Sequence, residues 1–393
     1  MTALIIFPES LMRPVYAAVV LMLVMVVVLA AGCISEGKLV QEQDIEIVKI
    51  NADGSLGWTK TIDYGNDEEM RDIIEMDDGS FIIAGGSSPK RGCNSYATPD
   101  PPSYVPTPSE PQLIGFSSTG DILWLQNYSS IGHEGMISVF KNSDGTLNAV
   151  TKMGELWHLN TDGSVISNRS INSISWIRSA IKTHDGGYIL VSDRDIDYST
   201  GTHITRIDPE RTIVWDVRFN KSRFSHIPSV VELPNQQGYL FSANSLHADG
   251  SQMVIVRLSP DGTVTNETPK GWMESTDADY LIQPAKDGYV VGFKEVPLSL
   301  TTILVRLNAD GDIISSGSTD NLGNIFIPTK DGGFFSLYYP ASGTIEMKKV
   351  DINNTLQWKN DEIKKTPGRI KKIMQTSDDG FVIMGATKKM SRC

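Results

Sequence analysis

The stretch Asn51-Ala52-Asp53-Gly54-Ser55-Leu56-Gly57-Trp58, with Met76-Asp77-Asp78-Gly79-Ser80-Phe81-Ile82-Ile83-Ala84-Gly85 close behind it, decides how this chain folds. Each half is an Asp-Gly pair set between apolar runs. Asp-Gly supplies the positive φ that a tight hairpin turn needs, at no steric cost to Gly. Both halves recur. The first pair has counterparts at Thr119-Gly120, Asp162-Gly163, Pro209-Glu210, Asp261-Gly262, Asp310-Gly311 and Asn353-Asn354. The second has counterparts at Asp144-Gly145, Asp185-Gly186, Gln237-Gly238, Asp287-Gly288, Asp331-Gly332 and Asp379-Gly380. Two interleaved series of seven, at steps of 41–66 residues, are a structural repeat and not an accident of composition.

The runs around the turns read as strands. IEIVKIN, QLIGFSS, ELWHLNT, HITRID, MVIVRLS, TILVRLN and IEMKKVD precede the first series and come close to alternating, as half-buried strands do. FIIAGGS, TLNAVTK, YILVSD, YLFSANS, YVVGF, FFSLYY and FVIMGA follow the second series and are nearly continuous apolar runs. A strand covered on both faces reads that way. Trp58, Trp124, Trp215 and Trp358 share one position shortly after the first-series turn. A tryptophan recurring there is expected to pack between neighbouring sheets.

Four short strands in about 45 residues, repeated seven times, predict an all-β seven-bladed β-propeller of four-stranded antiparallel blades. The repeats, carried best by residues 51–58 and 76–85, resemble the kelch-like and quinoprotein-like propellers of prokaryotic surface proteins over roughly residues 44–388. The resemblance implies a fold and leaves the activity open. If RDIIEMD is an inner strand, FIIAGGS is second, LIGFSS third and ILWLQNY outermost. The chain then begins with two strands, near 44–50 and 55–62, that lack inner partners. It ends with two inner strands, near 369–376 and 381–387, that lack outer ones. Together they predict a last blade closed by the N- and C-terminal strands, which leaves no long unpaired edge. Both turn series fall on one face. The variable connections fall on the other, among them the Pro/Ser-rich insertion 87–111 and the shorter segments 193–203 and 243–252. A ligand is expected at that variable face, near the central channel.

The N-terminus predicts the compartment. Val15 to Gly32 is an 18-residue run without a charge, preceded by Arg13 and ended by small residues. That is a secretory signal pattern, and the signal is expected to be helical. Leu29-Ala30-Ala31-Gly32-Cys33 resembles the lipobox of bacterial and archaeal lipoproteins, with Ala30 where the family usually has Leu. The resemblance implies cleavage before Cys33 and lipid attachment to its thiol. The alternative is an uncleaved signal anchor, since such a run just spans a bilayer. Either way the expected organisation is a signal at 1–32, a tether at 33–43 and the propeller at 44–393. The chain is then exported and held on the outer face of the cytoplasmic membrane, with the variable face nearest the anchor.

Chemistry-bearing motifs are few. Outside the cytoplasm Cys93 and Cys393 can form a disulfide or remain two free thiols. Asp193, Asp195 and Asp197 alternate as calcium ligands do, but Tyr198 and Ile204 stand where a calcium loop has Gly and Glu, so a solvated acidic loop is the competing reading. His133, His158, His184, His203, His226 and His247 show no zinc spacing. A quinone enzyme of the resembled class carries Ala-x-Asp-x-x-Thr-Gly-x-x-x-Trp motifs; the stretch ending at Trp58 keeps the Trp and lacks the Thr-Gly, so no cofactor is expected. A net charge of −12 excludes a nucleic-acid partner on electrostatic grounds. Three functional classes remain: a membrane-anchored module that binds protein or glycan, a propeller enzyme (quinoprotein-like, glycan-active or lyase) with its site at the channel, and a structural envelope component. Side chains lining the channel discriminate among them.

Overall fold

The strand runs fold into seven four-stranded antiparallel sheets arranged as blades. The computed structural model describes residues 39–88, 109–129, 134–171, 174–193, 201–220, 224, 227–247, 250–273, 282–294, 302–319, 322–323, 325–338, 345–362 and 369–392. Among them no α-helix is present. Blade 1 is β3 (Asp67–Glu75), β4 (Phe81–Ser88), β5 (Glu110–Phe116) and β6 (Ile122–Asn127). Blade 2 is β7 (Met136–Lys141), β8 (Leu147–Thr151), β9 (Glu155–Leu159) and β10 (Val165–Ser170). Blade 3 is β11 (Ile177–Lys182), β12 (Tyr188–Ser192), β13 (Thr202–Ile207) and β14 (Ile213–Phe219). Blade 4 is β15 (Val230–Glu232), β16 (Tyr239–His247), β17 (Gly250–Leu258) and β18 (Val264–Met273). Blade 5 is β19 (Ile282–Ala285), β20 (Gly288–Lys294), β21 (Thr302–Leu307) and β22 (Ile313–Thr319). Blade 6 is β23 (Ile325–Pro328), β24 (Phe334–Tyr338), β25 (Glu346–Val350) and β26 (Leu356–Asn360).

Blade 7 closes the ring. From the centre outward it runs β27 (Arg369–Gln375), β28 (Phe381–Arg392), β1 (Leu39–Ile50) and β2 (Leu56–Ile62). β1 and β28 pair over twelve residues, from Leu39 opposite Arg392 to Ile50 opposite Phe381. The two ends of the chain thus build one sheet, and β1 begins at Leu39, ahead of the expected boundary at 44.

There is no single central core. Seven hydrophobic clusters each fill the wedge between two neighbouring blades. This explains the continuous apolar runs. In β28, Phe381 and Ile383 face blade 6, while Val382 and Met384 face blade 1. Successive side chains alternate across a strand, so one covered on both sides must be apolar at every position.

Three details differ from the sequence reading. Residues 243–247 and 250–252 are strand, not loop: β16 runs to His247 and β17 resumes at Gly250, because their backbones continue a paired ladder, from Ala243 opposite Val254 to His247 opposite Gly250. The positive φ of two turns falls on Arg211 and Asp379 instead of on the pairs' second residues, Glu210 and Gly380. Blade 4 makes its second-series turn through Asn235 and Gln236, both at positive φ, and so is longer than a two-residue Gln-Gly turn.

Candidate binding site in the central channel

Each blade pairs its inner strand on one side only, so seven free backbone edges face the axis. They enclose a channel of about 1250 Å³ lined by all seven inner strands. Every inner strand runs from the variable-loop face to the turn face. The wall therefore has comparable layers in each blade.

At the turn-face mouth, the last residue of an inner strand reaches the turn of the preceding blade. Glu75 accepts hydrogen bonds from Ser377 N at 2.7 Å and Ser377 Oγ at 2.6 Å. Lys141 pairs with Asp77. Lys182 Nζ donates to Asn142 Oδ1 at 2.8 Å. Glu232 accepts from His184 N at 2.7 Å. Gln375 Oε1 accepts from Lys330 N at 2.7 Å. These contacts tie neighbouring blades together at the turn face.

Nearer the variable face the wall carries charge. Glu69 binds Arg71 at 3.0 Å and Lys371 at 3.4 Å. Burial alone would raise the Glu69 carboxyl, but the two cations outweigh it and hold it below its ordinary value. Burial and the neighbouring Arg71 and Arg369 charges depress Lys371. Asp72 Oδ2 accepts the free-edge amide of Val139 at 3.0 Å, and its Oδ1 lies 3.2 Å from Lys372 Nζ. Arg178 pairs with Asp193. One layer further along, Ile74, Phe140, Ile181, Gln283, Ile327 and Met374 stand at equivalent register, so the wall there is mostly apolar.

The tryptophans sit on the outer strands, away from this channel. Trp58 Nε1 donates to Ser118 O at 3.0 Å, Trp215 Nε1 to Pro260 O at 2.8 Å, and Trp358 Nε1 to Ala52 O at 3.0 Å. Each acceptor belongs to the first-series turn of the next blade. Trp124 lies against Gly163 of the next blade, whose carbonyl takes the Tyr128 hydroxyl at 2.7 Å. A Cβ on Gly54 would come within 2.6 Å of Trp358, so glycine at φ +86° is what lets that ring seat.

Asp193 is buried, bound by Arg178 and accepting from Thr202 Oγ1 at 3.3 Å. Asp195, Asp197, Cys33, Cys93, Cys393, His133, His226, the signal and tether up to residue 38, and residues 89–108 of the long insertion lie outside the described residues. His158 contacts Asn148 Oδ1 at 2.9 Å and His203 contacts Asp216 at 3.1 Å. No group of three metal-ligating side chains occurs among the described residues.

The sequence reading missed Glu68. It opens β3 at the seam of blades 7 and 1 and is completely buried. One carboxylate oxygen accepts from Tyr64 N at 3.3 Å; the other has no hydrogen-bond partner. Burial, then the nearby charges of Asp44 and Asp63, outweigh its backbone hydrogen bonds and push it up to about 7. Gln43 of β1 ties this corner down, donating its amide N–H to Asp67 at 3.1 Å and its side chain to the Glu68 carbonyl at 2.9 Å.

No protein-family model and no curated protein matches the chain. Solved structures do match in shape. The WD40 domain of Neurospora crassa Pan2 aligns with a TM-score of 0.50 at 8% identity, over 81% of this chain and 89% of that one. A streptogramin B lyase aligns at 0.47 and 11% identity, over 88% and 98%. BamB from Moraxella catarrhalis aligns at 0.38 and 11%, over 86% and 91%. The likeness to the Pan2 domain is one of fold: the chain is a β-propeller.

Proposed function

We propose that the chain is a membrane-anchored, extracytoplasmic binding module whose ligand enters the central channel from the variable-loop face. The observation that carries this reading is the channel itself. Its wall draws on every blade, and the cations of its upper layer are already oriented by carboxylates. Preorganised polar groups over an apolar floor are what a binding pocket requires. Among the described residues each wall carboxylate is engaged by a cation or a backbone amide: Glu69 by Arg71 and Lys371, Asp72 by Lys372, Asp193 by Arg178, and Glu232 at the turn-face mouth by His184 N. The uncharged N-terminal run and Cys33 support anchoring on the outer face of the membrane.

A photoreactive amino acid in place of Ser179, on the channel wall, tests this in cells, with the same group in place of Ser315 on an exposed outer strand as the control. A discrete adduct from the channel position alone is expected. Equal labelling from both positions, or no adduct from the channel, overturns the reading.

A further inference from the structure

The channel wall is asymmetric. Four successive inner strands, β27, β3, β7 and β11, each carry a bulge at the same register against the second strand. The inserted residues are Lys371, Arg71, Ile137 and Arg178. The described pairing of β15, β19 and β23 begins past this register, at Val230, Ile282 and Ile325. A bulge re-aims a side chain and is common beside functional sites. Three of the four insertions are cations, and Lys372 adds a fourth. On the opposite wall the same layer holds Pro228 and Ile325.

The ion pairs are also one-sided. Lys372 is 46% exposed over an Asp72 that is 11% exposed, and Arg178 is 45% exposed over an Asp193 that is 9% exposed. In both, the acid lies beneath and the cation meets the solvent. The buried acids therefore hold the cations outward instead of hiding them. Among the described residues of this layer four cations stand against three carboxylates, in a chain whose net charge is −12.

Resting on the binding reading above, the geometry points to an acidic, aliphatic peptide segment as the ligand class. Its carboxylates meet the cationic wall of blades 7, 1 and 3, and its apolar side chains meet the wall of blades 4 to 6. The free inner-strand edges supply the backbone donors and acceptors that an extended peptide pairs with.

The test measures fluorescence anisotropy of a labelled decapeptide of alternating Glu and Val, with its Lys-Val counterpart, on the full chain in detergent. The Glu-Val peptide is expected to bind saturably and the Lys-Val peptide not to. At about threefold for each half-exposed cation, Arg178→Gln with Lys372→Gln weakens binding about tenfold. The rim substitutions Lys60→Gln with Lys359→Gln leave it unchanged. Raising salt on the wild-type chain weakens binding as well, which needs no variant to fold. Equal binding of both peptides, no saturable binding of Glu-Val, or a loss no larger than that of the rim variant overturns the assignment. A channel adduct in cells without Glu-Val binding refutes the acidic class and leaves the binding module standing. No adduct removes both.

Discussion

Glu68 makes the stability of the ring depend on pH in an unusual direction. Its carboxyl rises from the ordinary 4.5 to about 7 because burial disfavours the charge. A group whose folded value is raised stabilises the fold fully below its unfolded value and loses that contribution as pH climbs through the folded value. The window is therefore 4.5 to about 7, and the seam of blades 7 and 1 is firmer in acid. The shift corresponds to about 3 kcal/mol across that window, since each pH unit is worth 1.36 kcal/mol and the side chain has no solvent exposure to discount. Glu68→Gln removes the titration while keeping the shape. Urea unfolding at pH 5, 6, 7 and 8 reads it out: the wild-type midpoint should fall relative to the variant's as pH rises, with the gap levelling off above pH 7. Parallel pH profiles for the two proteins would refute the reasoning, because they would mean that Glu68 takes up its proton alike when folded and unfolded.

Other perturbations address the seams and the anchor. Trp358→Ala removes the contacts with Phe335 and Phe381 and the bond to Ala52 O, at a cost of about 3 kcal/mol in urea unfolding. Gly54→Ala costs about 2 kcal/mol in the wild type, but only about 1 kcal/mol in the Trp358→Ala background, where the clash is gone and the positive φ remains; a strictly additive pair contradicts the packing. Burial opposes ionisation of Asp378, but the hydrogen bonds from Thr376 and Lys49 prevail and bring it to about 2. A lowered carboxyl stabilises above 3.8 and fades as pH falls towards 2. Asp378 is largely exposed, so Lys49→Met should cost about 1 kcal/mol at pH 6, and the difference should vanish near pH 2. Cys33→Ala should move the protein from the detergent phase to the aqueous phase and abolish a lipid mass increment; unchanged partitioning and mass would assign the anchor to the apolar run instead.

The parts of the fold legible in the sequence are those with a local cause. Asp-Gly at Asp53-Gly54 and Asp78-Gly79 marks a turn because glycine takes positive φ, and FVIMGA marks a doubly covered strand because both its faces are buried. The closure could be read because strands near both ends lacked partners. The channel wall could not. Arg71, Arg178 and Lys371 lie one to three hundred residues apart and meet only when the ring shuts, and the bulges that aim them leave no periodic trace in strands exposed along one edge. Glu68 was hidden for another reason. An acid opening a strand reads as solvated, and only the packing of β1 across it removes the water.

The channel exists only if the two chain ends form one blade. Apart from each other, β1–β2 and β27–β28 would be two-stranded hairpins, which are marginal in water. Native-state hydrogen exchange of the amides in Ile45–Ile50 and Phe381–Ala386 tests the closure directly. The account predicts protection equal to that of the central strands of blades 1 to 6. Exchange at near-loop rates in these two segments, with the other blades still protected, would contradict it.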